Sequence, residues 1–544
     1  MSIFNFLNVF FGGSHTVGTE KNDLIFGSFG DDKIDGKGGN DLIIDLFGDD
    51  VIAGGAGHDT VIAGFGDDIV SGGLGDDSLY GNAGADVIIG NKGDDRMFGG
   101  SGDDKLVWNN GDGSDLMVGG YGDDLVQVNF DTDLVNNDLQ NSDVAEFSVT
   151  DQGVQFARIE LNGQTEAGLF QLDIRETETQ ETNFGGGDDT AVIVDTVLDE
   201  IALDLDGGDG IDTIDLSQAA EAVDVNLKSG TLGDSTAVNF ENVIGTAFDD
   251  KITGDGQDNV ISGGLGVDKI IGKGGDDTLI GNRGDDIFKG GRGDDLLVWN
   301  NGDGSDLMNG GKGYDTVQVN FDTDLVNDDL QNKDVAEFSV TDKGVEFARI
   351  EVNDQTEAGL FQLDIRETEM LETNFGGGDD TAVIVDTVLD EITLDLDGGA
   401  GVDLLDLSQA AKGVEVDLAA GTLGASKAVN FEQVTGTAFN DVITGDAQSN
   451  VIRGGAGNDV MAGGAGADVF VFFEADVGVD VITDFELGVD SLLFVTNNPE
   501  VTAENLLAGL SQAGDDVELT LNSRTITFED TVVDAFQTDD FMIA

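Results

Sequence analysis

A nine-residue period runs through this chain and constrains its fold more than any other feature. From Gly18 onward the units read GSFGDDKID (27–35), GKGGNDLII (36–44), GGAGHDTVI (54–62), GGLGDDSLY (72–80) and GGSGDDKLV (99–107). Ten units fill residues 18–107, and after a two-residue insertion, Trp108 and Asn109, two more end at Gln127. In all twelve the sixth residue is Asp, and the eighth is apolar, from Ile25 and Ile34 through Leu79 and Ile88 to Val126. A second block spans 245–318 and a third 436–471, making twenty-four units over 216 residues. A larger duplication with an offset of 191 residues overlies them: Trp108 recurs as Trp299, and FQLDIRETE and ETNFGGGDDTAVIVDTVLDEI occur in both copies. Fixed-period self-similarity of this kind marks a repeat architecture.

The unit has a physical reading. Glycines at positions one, two and four permit positive φ and close backbone approach, so the first six residues are expected to form a tight turn whose carbonyls converge. Positions seven to nine then form a short strand with the apolar eighth residue directed inward. Two units make one coil of eighteen residues, and stacked coils make a two-sided parallel roll with Asp-bearing turns along both edges. Aligned carboxylates at strand spacing repel one another unless cations lie between them. Calcium suits such a site because it takes six to eight oxygens in flexible geometry, whereas Mg²⁺ dehydrates reluctantly and softer metals favour His or Cys.

Composition agrees with a cation-loaded roll. The 544 residues carry 110 Asp plus Glu against 24 Lys plus Arg, a formal charge of −86, which argues against nucleic acid or an anionic membrane surface as a direct partner. There is no Cys, and only two His, so disulfides and most His- or thiol-based chemistry lack their parts. No run approaches the roughly 18 apolar residues of a membrane span. Met1 to Phe11 lacks the basic start and small-residue cleavage site of a secretory signal, so the general export route is not expected.

These units resemble the nonapeptide G-G-x-G-x-D-x-U-x of the repeats-in-toxin (RTX) family. The resemblance implies an all-β fold, a right-handed parallel β-roll or β-helix solenoid, that is unfolded without calcium and folds on meeting it outside the cell. The implied calcium ligands are the sixth-position carboxylates: Asp32, Asp41, Asp50, Asp59, Asp68, Asp77, Asp86, Asp95, Asp104, Asp115 and Asp124 in the first block. Asp250, Asp268, Asp277, Asp286, Asp295, Asp306 and Asp315 follow in the second, and Asp441, Asp459 and Asp468 in the third. Carbonyls of the glycine turns, such as Gly55, Gly57, Gly73 and Gly75, would complete each cage. Lys21 at a fourth position, and Asn259 and Asn450 at sixth positions with Gln257 and Gln448 at the fourth, depart from the pattern and should leave weak or empty sites. If each site lies between units n and n+2, about eighteen sites are complete, and their roughly thirty-six positive charges offset under half of the formal charge.

The expected organisation is an N-terminal cap (1–17), a first roll block (18–127), a β-rich insert (128–244), a second block (245–318), the insert's copy (319–435), a third block (436–471) and a C-terminal region (472–544). The inserts show strand-type alternation, as in EFSVTDQGVQFARIEL and AVDVNL, with a short helix expected at Leu216 to Ala222, and are expected to continue or cap the roll. The C-terminal region reads as an amphipathic segment from Thr502 to Ala513, a hairpin in VELTLNSRTITF, and a tail of Asp539 and Asp540 followed by Phe541 to Ala544. That tail resembles a type I secretion signal of Gram-negative bacteria and also suits a cap over an open roll end.

The expected function is therefore a secreted, calcium-binding, structural, surface-associated or adhesive protein that is not an enzyme. Its partners would be calcium ions and the type I secretion machinery, with a cell-surface glycan or self-assembly as further candidates. With repeats starting at Gly18 no upstream catalytic domain is expected, and neither HExxH nor GxSxG occurs. His58 stands at a fifth position as a turn residue, and His15 has no identifiable partner. The RGD strings at Arg283–Asp285 and Arg292–Asp294 follow trivially from Arg at position three of a unit. The alternative from another class is a lyase or epimerase acting on an acidic glycan through the inserts, with Arg158, its copy Arg349, or Lys343 as the basic groups.

Overall fold

The computed structural model describes residues 13–109, 111–130, 143–150, 153–160, 170–300, 302–320, 334–341, 344–351, 361–521 and 524–544. The chain forms two compact units, Met1–Gly272 and Lys273–Ala544.

In the first unit alternate half-coils feed two parallel ladders. One runs through His15–Val17, Lys33–Asp35, Val51–Ala56, Ile69–Leu74, Val87–Lys92 and Lys105–Asn109. The other runs through Leu24–Phe26, Leu42–Ile44, Thr60–Phe65, Ser78–Ala83, Arg96–Ser101 and Leu116–Tyr121. Val51 pairs with Ile69, and Ile69 with Val87, so the register advances by the expected coil of two nonapeptides. Where Trp108 and Asn109 are inserted, Lys105 pairs with Leu125 and one coil gains two residues. The indole of Trp108 is fully buried, and its Nε1–H donates to the Gly113 carbonyl at 2.8 Å, which anchors the longer turn. Trp299 does the same with Gly304 at 2.9 Å in the second unit.

The eighth-position side chains form the core. Ile34, Ile43, Ile52, Val61, Val70, Leu79, Ile88, Met97 and Leu106 are all buried, each stacked on its counterpart one coil away. Each unit contributes one such residue, and burial of a Val or Leu is worth about 1.5–3 kcal/mol. Strand length differs from expectation. Val51–Ala56 and Ile69–Leu74 comprise positions seven to nine together with one to three of the next unit, so the pairing continues through the glycines.

The inserts continue both ladders. In the first unit Asp143–Thr150 and Gly153–Glu160 form an antiparallel hairpin, and Phe170–Arg175 pairs antiparallel to its second strand. Phe170–Arg175 also joins Leu116–Tyr121 in parallel, while Asp143–Thr150 joins Thr190–Asp195, so the three strands are spliced into one ladder. The opposite ladder passes directly from Leu125–Asn129 to Thr179–Asn183 and Ala202–Asp206. The second unit repeats this with Asp334–Thr341, Gly344–Glu351 and Phe361–Arg366. The segment Leu216 to Ala222 is not a helix: Thr213–Ala219 is a strand, because Ile214 and Leu216 alternate into the core and its partner Thr190–Asp195 supplies a ladder. The short helix lies instead at Val197–Glu200.

At the C-terminus a helix, Ala503–Gly509, is capped by the Thr502 hydroxyl, which accepts the Asn505 N–H. Asp516–Leu521 and Arg524–Phe528 form the expected hairpin, and Phe541–Ile543 ends the chain as a strand parallel to Ser491–Val495. Phe485, Phe528, Phe536 and Phe541 pack together beneath it. Among the described residues no helix is long and apolar enough to cross a membrane. The segment 2–11 of the expected N-terminal cap lies outside the described residues.

Candidate metal-binding ladders

The three repeat glycines have two distinct causes. Position one lacks a side chain because the carboxylate of the same unit takes the space: a Cβ on Gly54 would lie 2.7 Å from Asp59 Oδ2, and one on Gly72 2.4 Å from Asp77 Oδ2. Positive φ belongs to positions two and four, with Gly55 at 114°, Gly57 at 139°, Gly73 at 119° and Gly75 at 108°. At Gly57 a Cβ would also sit 1.9 Å from the Gly39 carbonyl oxygen of the previous coil. The expectation of positive φ at all three positions is thus corrected at the first.

Along the rows, sixth-position Asp residues have one oxygen engaged in the same way. Asp59 Oδ1 accepts the N–H of Asp41 at 2.7 Å, Asp77 that of Asp59 at 2.7 Å, and Asp95 that of Asp77 at 2.7 Å. On the opposite edge Asp50, Asp68, Asp86, Asp104 and Asp124 form the equivalent row, and Asp115 continues the first. In the second unit Asp295, Asp306 and Asp315 accept from Asp277, Asp286 and Asp295. Asp268 and Asp459 accept from Asp250 and Asp441, and Asp468 from Asn450. The second oxygen points beneath the glycine turn. In Asp41, Asp50, Asp59, Asp68, Asp77, Asp86, Asp95, Asp104, Asp115 and Asp124 it is buried and has no hydrogen-bond partner, as it has in Asp295, Asp306, Asp315 and Asp459.

A row of buried carboxylates without counter-charge is electrostatically costly. Burial pushes the Asp68 carboxyl up to about 7, against the N–H it accepts from Asp50, and the Asp86 and Asp50 carboxylates add to the rise. Burial likewise takes Asp77 to about 7, with Asp95 and Asp59 contributing, and Asp115 and Asp306 to about 8. The donors are all hard oxygens, buried, convergent and short of positive charge. That set fits calcium, which the sixth-position Asp carboxylates would hold.

Some expected ligands are satisfied by the chain itself. Asp32 is held below the usual carboxylate range because, although burial raises it, the N–H groups of Ser28 and Ser14 and the Ser28 hydroxyl outweigh that effect. Thr246 gives Asp250 its N–H at 2.6 Å and its hydroxyl at 3.0 Å, and Thr437 gives Asp441 the same pair at 2.7 and 2.9 Å. A hydroxyl residue at position two therefore serves the Asp near the start of each block. The Asn substitutions also answer their own needs: the Asn259 amide donates to the Glu241 carbonyl at 2.9 Å, and that of Asn450 to Glu432 at 3.4 Å.

The ladders extend further than the nonapeptide blocks. Asp212 and Asp403 lie in GGDGIDTID (207–215) and GGAGVDLLD (398–406), full repeats hidden inside the inserts. Their Oδ1 atoms accept the N–H groups of Asp189 and Asp380 at 2.7 Å, and their second oxygens are buried without a partner. Glu178, Glu241, Glu369 and Glu432 take the place of Asp in the row, accepting from Asp124, Asp212, Asp315 and Asp403. Asp480 and Asp490 carry it into the C-terminal region. An acid followed two residues later by a buried apolar side chain, as Asp212 is by Ile214, was the signal.

At the C-terminal end the counter-charge is built in. Arg524, 6% exposed, places Nε 3.3 Å from Asp480 Oδ2 and lies near Asp476, and its other arm donates to the Gly455 carbonyl at 3.3 Å. A guanidinium thus meets a sixth-position carboxylate and a glycine-turn carbonyl together. Fifth positions form a separate, exposed row. His58 belongs to it, its Nδ1 accepting the Asp76 N–H at 2.8 Å while its own N–H donates to Asn40 at 3.1 Å. Lys343 and the side chains of Arg158 and Arg349 lie outside the described residues.

The family described as the RTX calcium-binding nonapeptide repeat (4 copies) matches residues 17–43, 44–79, 71–106, 240–270, 263–297, 301–327 and 435–470. No curated protein matches the chain. Among solved structures, an extracellular lipase, LipA, from Serratia marcescens is similar at 18% identity and a TM-score of 0.20, over 62% of this chain and 45% of the lipase. The chain spans less than half of that lipase.

Proposed function

From the premise that this chain is an RTX-type calcium-binding repeat protein, we propose that it is a secreted protein of a Gram-negative bacterium that folds on extracellular calcium and acts as a structural, surface-associated or adhesive component without catalysis. The observation that carries this reading is the double row of buried carboxylate oxygens without hydrogen-bond partners, from Asp41 to Asp124 and again from Asp295 to Asp315. Bound calcium supplies the positive charge these rows require. The chain's own residues do the rest: Oδ1 of an Asp in the row fixes its side chain against the preceding coil, the position-one glycine leaves room for Oδ2, and the positive-φ glycines make the turn.

The export logic follows from affinity. Extracellular calcium modules bind at roughly 10⁻⁴ to 10⁻³ M, far above cytosolic calcium, so the chain stays extended inside the cell and closes outside. The type I machinery is the proposed carrier, with the C-terminal region as its signal. A cell-surface glycan or another copy of the chain is the proposed external partner. The test is a calcium titration of the full chain by far-ultraviolet circular dichroism, with magnesium as control. A cooperative coil-to-β transition near millimolar calcium, absent with magnesium, is expected. A chain fully folded in chelator would overturn the proposal.

A further inference from the structure

Position one of the unit beginning at residue 45 holds Asp45, where its neighbours hold Gly36 and Gly54. Its carboxylate is fully buried and reaches back into the preceding coil, where a Cβ on Gly27 would lie 1.7 Å from Asp45 Oδ2. One Asp45 oxygen accepts the Leu46 N–H at 2.7 Å, and the other has no hydrogen-bond partner. Asp50, 1% exposed, accepts the Asp32 N–H at 2.7 Å and also has one oxygen without a partner. Asp32 is the third member, its carboxylate oriented by Ser28 and Ser14. Each of the three offers an oxygen within 4.8 Å of the other two, and no other such trio of potential metal ligands occurs among the described residues.

The geometry points to Asp45 as a third carboxylate at the site between the units of Asp32 and Asp50, giving that site more negative charge than the other repeat sites and a preference for trivalent lanthanide over calcium and for calcium over magnesium. Two buried, unpartnered oxygens aimed at the same place, beside an already oriented third carboxylate, call for a cation of high charge. Affinity in oxygen-donor sites rises with the number of charged ligands. Three carboxylates match a trivalent ion, whereas the repeat rows bring one sixth-position carboxylate from each unit. The inference rests on the repeat reading, since calcium at the other coils folds the roll that brings the three carboxylates together, and it adds a ligand outside the repeat pattern.

The test uses the calcium-saturated full-length protein, where the roll is folded, and adds Tb³⁺ at one equivalent, read by its directly excited luminescence lifetime and by equilibrium dialysis. One ion is expected to be retained about tenfold or more tightly than the rest. Asp45→Gly restores the repeat sequence, so it should fold; it is expected to abolish that tight ion while leaving the remaining calcium count and the circular dichroism spectrum unchanged. Asp45→Asn keeps the shape and removes one charge, and is expected to weaken the ion by about tenfold. Unchanged terbium retention in Asp45→Gly would overturn the site. Retention unchanged in Asp45→Asn would overturn it too, since the Asp45 charge would then contribute nothing to holding the ion. Failure of calcium to fold the chain would defeat the repeat reading, whereas calcium-dependent folding without an Asp45-dependent terbium ion would defeat this one alone.

Discussion

The sixth-position carboxylate and the glycine turn above it set the energetics of each residue in the roll. Gly57 combines a φ of 139° with a Cβ position 1.9 Å from the Gly39 carbonyl, so Gly57→Ala must both adopt a strained backbone and push coils apart. A cost of about 1–3 kcal/mol or more is expected from the backbone alone, read as a higher calcium midpoint in circular dichroism. His58→Asn, at the next residue, keeps a side-chain acceptor for the Asp76 N–H and should leave that midpoint unchanged. The carboxylates also fix a pH dependence. In the folded chain without cations, burial raises Asp41, Asp86 and Asp95 to about 6, Asp68, Asp77 and Asp104 to about 7, and Asp115 to about 8, from an ordinary value of 3.8. A raised folded value means the roll binds more protons than the open chain, so this stabilisation is fully present below about pH 4 and is lost as pH rises through about 6 to 8. In chelator, β structure should therefore appear on acidification and disappear across that window. A chelated chain whose circular dichroism does not change between pH 4 and pH 8 would contradict the burial of these groups.

At the scale of elements, the ends of the rows are closed by the chain's own donors. Arg524 on the strand Arg524–Phe528 supplies positive charge to Asp480, which is 2% exposed, so Arg524→Met leaves a buried carboxylate uncompensated. Breaking a buried pair from one side costs about 3–5 kcal/mol. Hydrogen exchange should then show loss of protection first in Gly478–Ile482 and Arg524–Phe528, which pair directly. Near the block starts, Thr437→Val removes the hydroxyl that Asp441 accepts at 2.9 Å and is expected to cost about 1–3 kcal/mol. Urea unfolding in saturating calcium measures it; Thr422→Val, outside the Asp row, provides the comparison.

Across the whole chain the formal charge of −86 opposes compaction, and the hydrophobic core of one apolar residue per half-coil is thin. Cation binding and folding are then expected to be one event. Simple salt screens long-range repulsion but cannot coordinate buried oxygens. Raising NaCl on the chelated chain should shrink its hydrodynamic radius without producing the β spectrum, whereas calcium should do both. If NaCl alone gave the β spectrum, diffuse charge rather than site binding would control folding.

The local repeat determined the parallel roll, its inward eighth residues and its paired carboxylate rows, because every interaction in a coil is with the same position one period away. Asp59, Gly57 and Val61 could be assigned from nine residues of text. What tertiary structure decided lies where that period breaks. The hairpin Asp143–Thr150 and Gly153–Glu160 enters one ladder because two sheet edges are there to receive it, which no nine-residue window encodes. Asp212 and Asp403 stand in full repeats, yet only the continuation of the ladders through the inserts gives them partners a coil away. Arg524 reaches Asp480 and Asp476 from beyond the repeats, because folding brings together charges whose separation in sequence carries no sign of their contact.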